Sequence, residues 1–478
     1  MRLPSPSTST IVPPSDTHPT LNLNMGFVFS TPQDTDPVPI MDEKPKPLVS
    51  KNGKILVVGG GGTLGSSTAL HLARRGYTDI RVLDVYQTPS AYSAGNDLNK
   101  TAGAGRSGVW GQVGQAAWKA WTTDPLFKPH CHPTGIADVC SGDNPRAADL
   151  KAKYDSLVAS GRAGDYAWLD NEDDILRVAP HLKGADIQGW KGLWGTQMAW
   201  VAARDVLNAV GLAAQHLGVK TTFGTSGTFK EPLLSADGKR CVGVRAVDGT
   251  EWDADLVVFA AGAWSPVLLD LKGQCVSKCW VYAHIQLTPE ETLEMRNIST
   301  MYNYKLGFFI EPSPTGLLKL CNEFPGYTNL TPSTPYPLTT PTLLSSPRAH
   351  ADHPTDTIPT ESLLAIQKLI KVCLPWLEGR ELIKQGMCWC TDTEDGNWLL
   401  CEDPRWKGLV LMTGDSGHSF NTLPQAGNEV VDLIEGTLSE EKSNAWKWRP
   451  GRGDPDGTGR AGGPPKDLGD LPGWKHGD

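Results

Sequence analysis

Residues Lys54 to Gly65, KILVVGGGGTLG, run four β-formers straight into a glycine cluster, and a helical pattern follows. The spacing Gly60-x-Gly62-x-x-Gly65 allows a tight turn, close backbone approach to a pyrophosphate, and tight packing of the next helix on the strand. Phosphates would then sit at the helix N-terminus, where free N–H groups and the positive end of the macrodipole favour an anion without a cationic side chain. Gly60, Gly62, Thr63, Leu64 and Gly65 are therefore expected to hold a cofactor. A glycine-rich turn with no ligand has the same local pattern, so the flanking sequence decides. Leu64, Thr68, Ala69, Leu72 and Ala73 continue a helical stripe that stops at Gly76, with Arg74 and Arg75 in its last turn. A second strand then ends in Asp84, about 20 residues beyond the turn, where an acid accepts the ribose hydroxyls of an adenosine. Strand, turn, helix, strand and acid predict a nucleotide site that fits FAD and NAD alike.

A chain of 478 residues exceeds one hydrophobic core and predicts two domains, or one interleaved with another. Its net charge of -9 argues against a nucleic-acid partner. No apolar run approaches the roughly 20 residues of a spanning helix, so no membrane partner is expected. Ten cysteines without a C-x-x-C pair point to thiols in a reducing compartment rather than a disulfide framework or structural zinc. His130-Cys131-His132 is the one metal-like cluster; lacking a second half, it reads as an ordinary loop, and no metal site is expected. Residues 1–50, aperiodic and rich in Pro, Ser, Thr and Asp, are expected to form a disordered extension.

Further along, GYTDIRVLDVY (76–86), PSAYSAGNDLNK (89–100) and DPLFKP (124–129) resemble the fungal fructosyl amino acid oxidases, or amadoriases, of the sarcosine oxidase branch of FAD-dependent amine oxidases. The likeness runs from Lys54 to Trp474. It recurs in GWKG (189–192), AARDVL (202–207), FAAGAWS (259–265), GFFIEP (307–312), EFPGYTN (323–329), CWCTDT (388–393) and GDSGHSF (414–420). The resemblance, not the glycine spacing, implies FAD as cofactor. It also implies an α/β fold in which a Rossmann-like FAD-binding domain (51–104, 190–272 and 385–440) is interleaved with an antiparallel-sheet, α+β substrate domain (105–189 and 273–384). A C-terminal tail, 441–478, would pack at the active site.

The residues between these blocks fit that plan. Positions 105–185 read as helices and loops. Val206, Leu207, Val210, Ala213, Ala214 and Leu217 form a helical stripe ended by Gly218, and Cys241 to Phe259 reads as a hairpin plus a buried strand. Residues 275–330 alternate apolar and polar in short runs, as in an antiparallel sheet. A helix from Glu361 ends at Pro375.

The resemblance also assigns roles. Lys319 matches the lysine held over the flavin, where a fixed cation would stabilise charge developing on oxygen. Glu311 matches the acid that anchors the amino-acid part of the substrate, and Arg460 the arginine that grips a carboxylate with two prongs. Cys388 aligns with the cysteine that carries FAD through a thioether, although Cys390, two positions on, shares its face on a strand. Ser93, Asn99, Lys100, Ala261 and Gly262 would line the cofactor. Asp415, Ser416, Gly417, His418 and Ser419 would set a helix N-terminus against the edge where negative charge accumulates on reduction. Two departures stand out: Asn421 follows GHSF where the family has lysine, removing a cation from the expected substrate pocket, and residues 101–108 form a short glycine-rich loop.

The implied activity is oxidation of the secondary amine of a fructosyl amino acid, giving an imine that hydrolyses to amino acid and glucosone while O2 becomes H2O2. Oxidation of N-methyl or cyclic amino acids, and flavin binding without turnover, are the alternatives. A small-molecule substrate and O2 are the expected partners of a monomer. Without an S-K-L type tail, the protein is expected in the cytoplasm rather than the peroxisome.

Overall fold

The computed structural model describes residues 46–105, 108–450 and 464–476. The strand Lys54–Val58 lies at the centre of a six-stranded sheet, with Asp79–Leu83 parallel on one side and Leu256–Phe259 parallel on the other. Lys220–Thr222 extends the first side, and Leu409–Thr413 followed by antiparallel Leu399–Glu402 extends the second. The central strands are apolar at successive positions because both faces are covered. Ile55 and Val57 pack against the helices Thr63–Arg74, Ala203–His216 and Leu423–Glu435, whereas Leu56 and Val58 meet a three-stranded meander, Phe229–Leu234, Cys241–Ala246 and Glu251–Asp253. Helix Thr63–Arg74 touches Leu423–Glu435 backbone to backbone: a Cβ on Gly427 would lie 2.1 Å from the Ser67 carbonyl oxygen, and the Ser67 hydroxyl accepts the Gly427 N–H at 2.8 Å. Any larger residue at 427 would pry these helices apart.

The second sheet is long and mostly antiparallel. In spatial order it holds Ile383–Asp392, Val276–Gln286, Leu317–Thr328, Gly307–Phe309, Thr300–Asn303, Ile136–Ser141, Trp190–Gly195 and Tyr166–Leu169. Helix Thr360–Cys373 covers one face, burying Ile366, Leu369 and Ile370 with Leu318, Leu320 and Phe309.

Several expectations are corrected. Trp190–Gly195 and most of Ile383–Asp392 fall within the stretches assigned to the FAD domain, yet both pair in the second sheet. Their alternating patterns fit either sheet, and the partner that decides lies far along the chain. The stretch read as helices and loops, 105–185, also contains the strands Ile136–Ser141 and Tyr166–Leu169. Residues 46–50 of the supposed disordered extension are anchored: Val49 is buried, and the Leu48 N–H donates to the Ile434 carbonyl at 2.8 Å. Residues 1–45 lie outside the described residues. So does the segment 451–463 of the tail, and Arg460 with it. The tail's described end, Lys466–Asp467, adds to the second sheet beside Tyr327 and Thr328, and buries Leu468 and Trp474.

Candidate active site

The three motif glycines meet three different surroundings. A Cβ on Gly60 would stand 2.4 Å from Val82 Cγ1, and one on Gly65 would stand 2.4 Å from the Gly59 carbonyl oxygen. Those two positions need glycine for strand and helix packing. At Gly62 the nearest atom, Ser93 Oγ, is 3.4 Å away, and Gly62, Thr63, Leu64 and Ser93 all line one cavity. Asp84 lines it as well; its carboxylate accepts the Gly61 N–H at 2.9 Å and the Ser90 hydroxyl at 2.7 Å. Burial pushes this carboxyl up, and those hydrogen bonds pull against it.

From the glycine turn the cavity runs past Ala261 and Gly262 to Lys100, Cys390, Asp415, Gly417 and Ser419. Tyr92 and Trp264 stack in its wall with ring centroids 4.6 Å apart, and the Tyr92 hydroxyl donates to Asp352. The turn Asp415–Ser419 is fixed from below. Asp415 accepts the N–H groups of Thr391 and Gly417, both at 2.9 Å, and the Ser419 hydroxyl donates to the Asp415 carbonyl at 3.0 Å while accepting the Trp398 indole N–H. Ser416 and His418 are outside the lining: Ser416 Oγ accepts the Thr393 N–H, and His418 Nε2 bonds the Gly396 carbonyl. They hold the turn rather than face the cavity.

Next to Lys100 lies a buried ionic cluster. Asp97 accepts from Lys100 Nζ at 2.7 Å and from Lys319 Nζ, and Lys319 also reaches the Asn99 carbonyl at 3.4 Å. Lys319 is 2 % exposed, and this carboxylate and carbonyl, with the Tyr282 ring 5.5 Å from Nζ, compensate its charge. Burial alone would raise Asp97, but the two ammonium groups overcome it and hold the carboxyl well below the carboxylate range. Lys100 moves the other way: despite burial, Asp97 and the nearby sulfurs lift it well above the ordinary lysine value. Lys100 Nζ also lies 3.4 Å from Cys388 Sγ. A hydrogen bond from Cys390, with help from the Lys100 charge and against burial, draws the Cys388 thiol below its ordinary value. Cys390 is in the cavity lining, and Cys388, two positions before it on the same strand, stands 3.4 Å from Lys100, which lines the cavity as well.

Glu311 is buried beside this cluster. Its carboxylate accepts the Trp200 indole N–H at 3.0 Å and its carbonyl accepts from Asn99 Nδ2 at 3.4 Å; Trp200 in turn stacks on His132 at 3.8 Å. Asn421, expected in the substrate pocket, instead directs its amide to the backbone of Gly103. Asp97 and Trp200 were not singled out from the sequence. Asp97 stands three residues before Lys100, a spacing that would have flagged an ion pair, whereas nothing local marks Trp200.

Comparison with known proteins gives the chemistry its context. The profile of the FAD dependent oxidoreductase family matches residues 54–433. The chain belongs to this family. The oxidoreductase superimposes on the fructosyl peptide oxidase from E. terrenum with a TM-score of 0.86 at 49 % identity, covering 90 % of this chain and 99 % of that one. Amadoriase II, the deglycating fructosamine oxidase from Aspergillus fumigatus, solved in complex with FSA, gives 0.80 at 34 % identity over 90 % and 98 % of the two chains. L-saccharopine oxidase of Schizosaccharomyces pombe is 29 % identical over 416 residues, 83 % of this chain and 93 % of that protein.

The cavity of the oxidoreductase fits FAD. Gly62 leaves open the space a side chain would fill, Asp84 stands at the adenosine end, and the Asp415–Ser419 turn and Lys100 stand at the other. One continuous lining thus joins the two ends that a dinucleotide requires.

Proposed function

We propose that this FAD-dependent oxidoreductase is an oxidase of the secondary amine of fructosyl amino acids, yielding amino acid, glucosone and H2O2. The observation that carries the reading is the Lys319–Asp97–Lys100 cluster, whose Lys100 lines the cofactor cavity. It stands in a chain that matches fructosyl peptide oxidases over nearly their whole length. FAD, when bound, supplies the acceptor for the substrate's hydride and the route of its electrons to O2. Lys319 contributes a cation in a dry site. Because Asp97 fixes it beforehand, it can stabilise negative charge on oxygen with no reorganisation during the reaction. Glu311 offers a carboxylate, oriented by the Trp200 N–H, for the charged amino group of the substrate.

The Cys388 thiol, lowered by its neighbours, is the attachment point for FAD in this reading. Acid precipitation of the holoenzyme is expected to leave a yellow pellet, Cys388→Ala a colourless one, and Cys390→Ala a yellow one. Flavin free in the wild-type supernatant removes the covalent link and leaves the cradle untouched. The small molecule and O2 are the partners of a cytoplasmic monomer.

Oxidation of amino acids carrying a non-sugar N-substituent is the second reading, favoured by the match to L-saccharopine oxidase. Anaerobic titration separates the two. Fructosyl-valine is expected to bleach the visible flavin absorbance faster than saccharopine, sarcosine or pipecolate, and failure of fructosyl-valine to bleach it rejects the sugar-amine reading.

A further inference from the structure

Asn421 and the glycine-rich segment after Lys100 are one structural unit. Asn421 Oδ1 accepts the Gly103 N–H at 2.7 Å, and its Nδ2 donates to the Gly103 carbonyl at 2.9 Å. Gly103 ends the short strand Lys100–Gly103, whose other edge pairs antiparallel with Met198–Val201. A side-chain amide therefore takes the place of a neighbouring strand on the free edge, satisfying one donor and one acceptor together. Gly103 is obligatory here, because a Cβ would lie 1.9 Å from Met198 Sδ and 2.9 Å from the Gln197 carbonyl oxygen. The Asn421 carbonyl also accepts the indole N–H of Trp121 at 2.7 Å, from the helix Gly108–Thr123. One residue thus ties down the chain on both sides of residues 104–107.

Lys100 starts the strand that Asn421 clamps, and its Nζ is the group that touches Asp97, Cys388 and the cavity. We infer that Asn421 is a positioning residue: its amide, bridging the backbone of Gly103, sets where Lys100 stands against Asp97 and the cofactor cavity. A lysine at 421 would supply donors only and leave the Gly103 N–H without its acceptor.

The test uses the flavin-loaded enzyme with Asn421→Ala, Asn421→Asp and Asn421→Lys, read by amide hydrogen exchange at Gly103 and by kcat and KM for fructosyl-valine. Alanine and lysine are expected to speed exchange at Gly103 by about tenfold, the scale of one lost hydrogen bond, and to lower kcat by about as much with KM within twofold. Aspartate keeps the acceptor for the Gly103 N–H and repels the carbonyl, so its exchange rate should fall between wild type and alanine. Should alanine fail to fold, the aspartate and lysine variants carry the same comparison. Unchanged exchange at Gly103 in every variant overturns the inference. So does a lysine variant that lowers KM and keeps kcat, because position 421 would then touch substrate. The kinetic arm rests on the proposed oxidase activity; the exchange arm does not, so failure of either reading is seen separately.

Discussion

Asp97→Asn isolates the cluster on which the proposed chemistry depends. Asparagine keeps the shape of the side chain and an oxygen that can still accept the Leu98 N–H, bonded at 2.7 Å in the native protein. It removes the carboxylate shared by the ammonium groups of buried Lys319 and partly exposed Lys100. Breaking a buried ion pair from one side costs about 3–5 kcal/mol, because the remaining charge stays desolvated; here Lys319 is that charge, with Lys100 partly exposed beside it. The pH dependence gives the mechanism away. In the wild type the depressed Asp97 carboxyl contributes stability that is full above its unfolded value near about 3.9 and is lost as pH falls through its lower folded value. The raised Lys100 contributes stability that is full below about 10.4 and is lost only as pH rises through its higher folded value. Without the carboxylate, Lys100 loses the partner that lifts it and sheds its proton more readily, so the deficit is expected to be full near pH 7 and to narrow as pH rises toward 10. Urea denaturation of wild type and variant across that range measures it. A deficit under about 1 kcal/mol at pH 7, the scale of an exposed pair, or one independent of pH refutes the reasoning.

Lys319→Met keeps the stem and deletes the charge, so reoxidation by O2 in stopped flow should slow about 100-fold, the loss of about 2.7 kcal/mol of stabilisation, while anaerobic reduction by substrate persists; unaltered reoxidation removes Lys319 from the oxygen step. His71 is buried between helices Thr63–Arg74 and Leu423–Glu435, its Nε2 is 2.9 Å from the Pro424 carbonyl oxygen, and burial lowers its pKa to about 4. Its contribution to stability is full above about 6.5 and fades as pH falls toward about 4, worth about 3 kcal/mol over that interval. His71→Gln keeps a donor for Pro424 and should flatten the melting temperature across those pH values; an equally steep acid loss in the variant points to another group.

The glycine turn, Asp84 and the helices flanking the first sheet were legible because each is a local pattern. Gly60 and Gly65 answer to neighbours on the same βαβ unit, and Val206 to Ala214 carries its period within one helix, although Leu217, expected to continue the stripe, lies past the helix end and is exposed. The second sheet was harder, since Trp190–Gly195 is specified by Ile136–Ser141 and Tyr166–Leu169, and Ile383–Asp392 by Val276–Gln286, none of them adjacent in sequence. Within the candidate site, resemblance singled out Lys319, Glu311 and Cys388, but not the residues that contact them. Asp97 acts through lysines 3 and 222 positions away, and Trp200 reaches Glu311 across 111 positions. Asn421 was expected in the pocket wall because the resemblance places a lysine there; its two bonds to Gly103, 318 positions away, become visible only in the folded chain.

The central claim is tested most directly by product stoichiometry under air with fructosyl-valine as the sole substrate. The account predicts one H2O2 and one free valine for each fructosyl-valine consumed, with matching O2 uptake. Fructosyl-valine left intact by an enzyme that releases peroxide from saccharopine, sarcosine or pipecolate would contradict it, as would a flavin-loaded protein that consumes no O2 with any of the four.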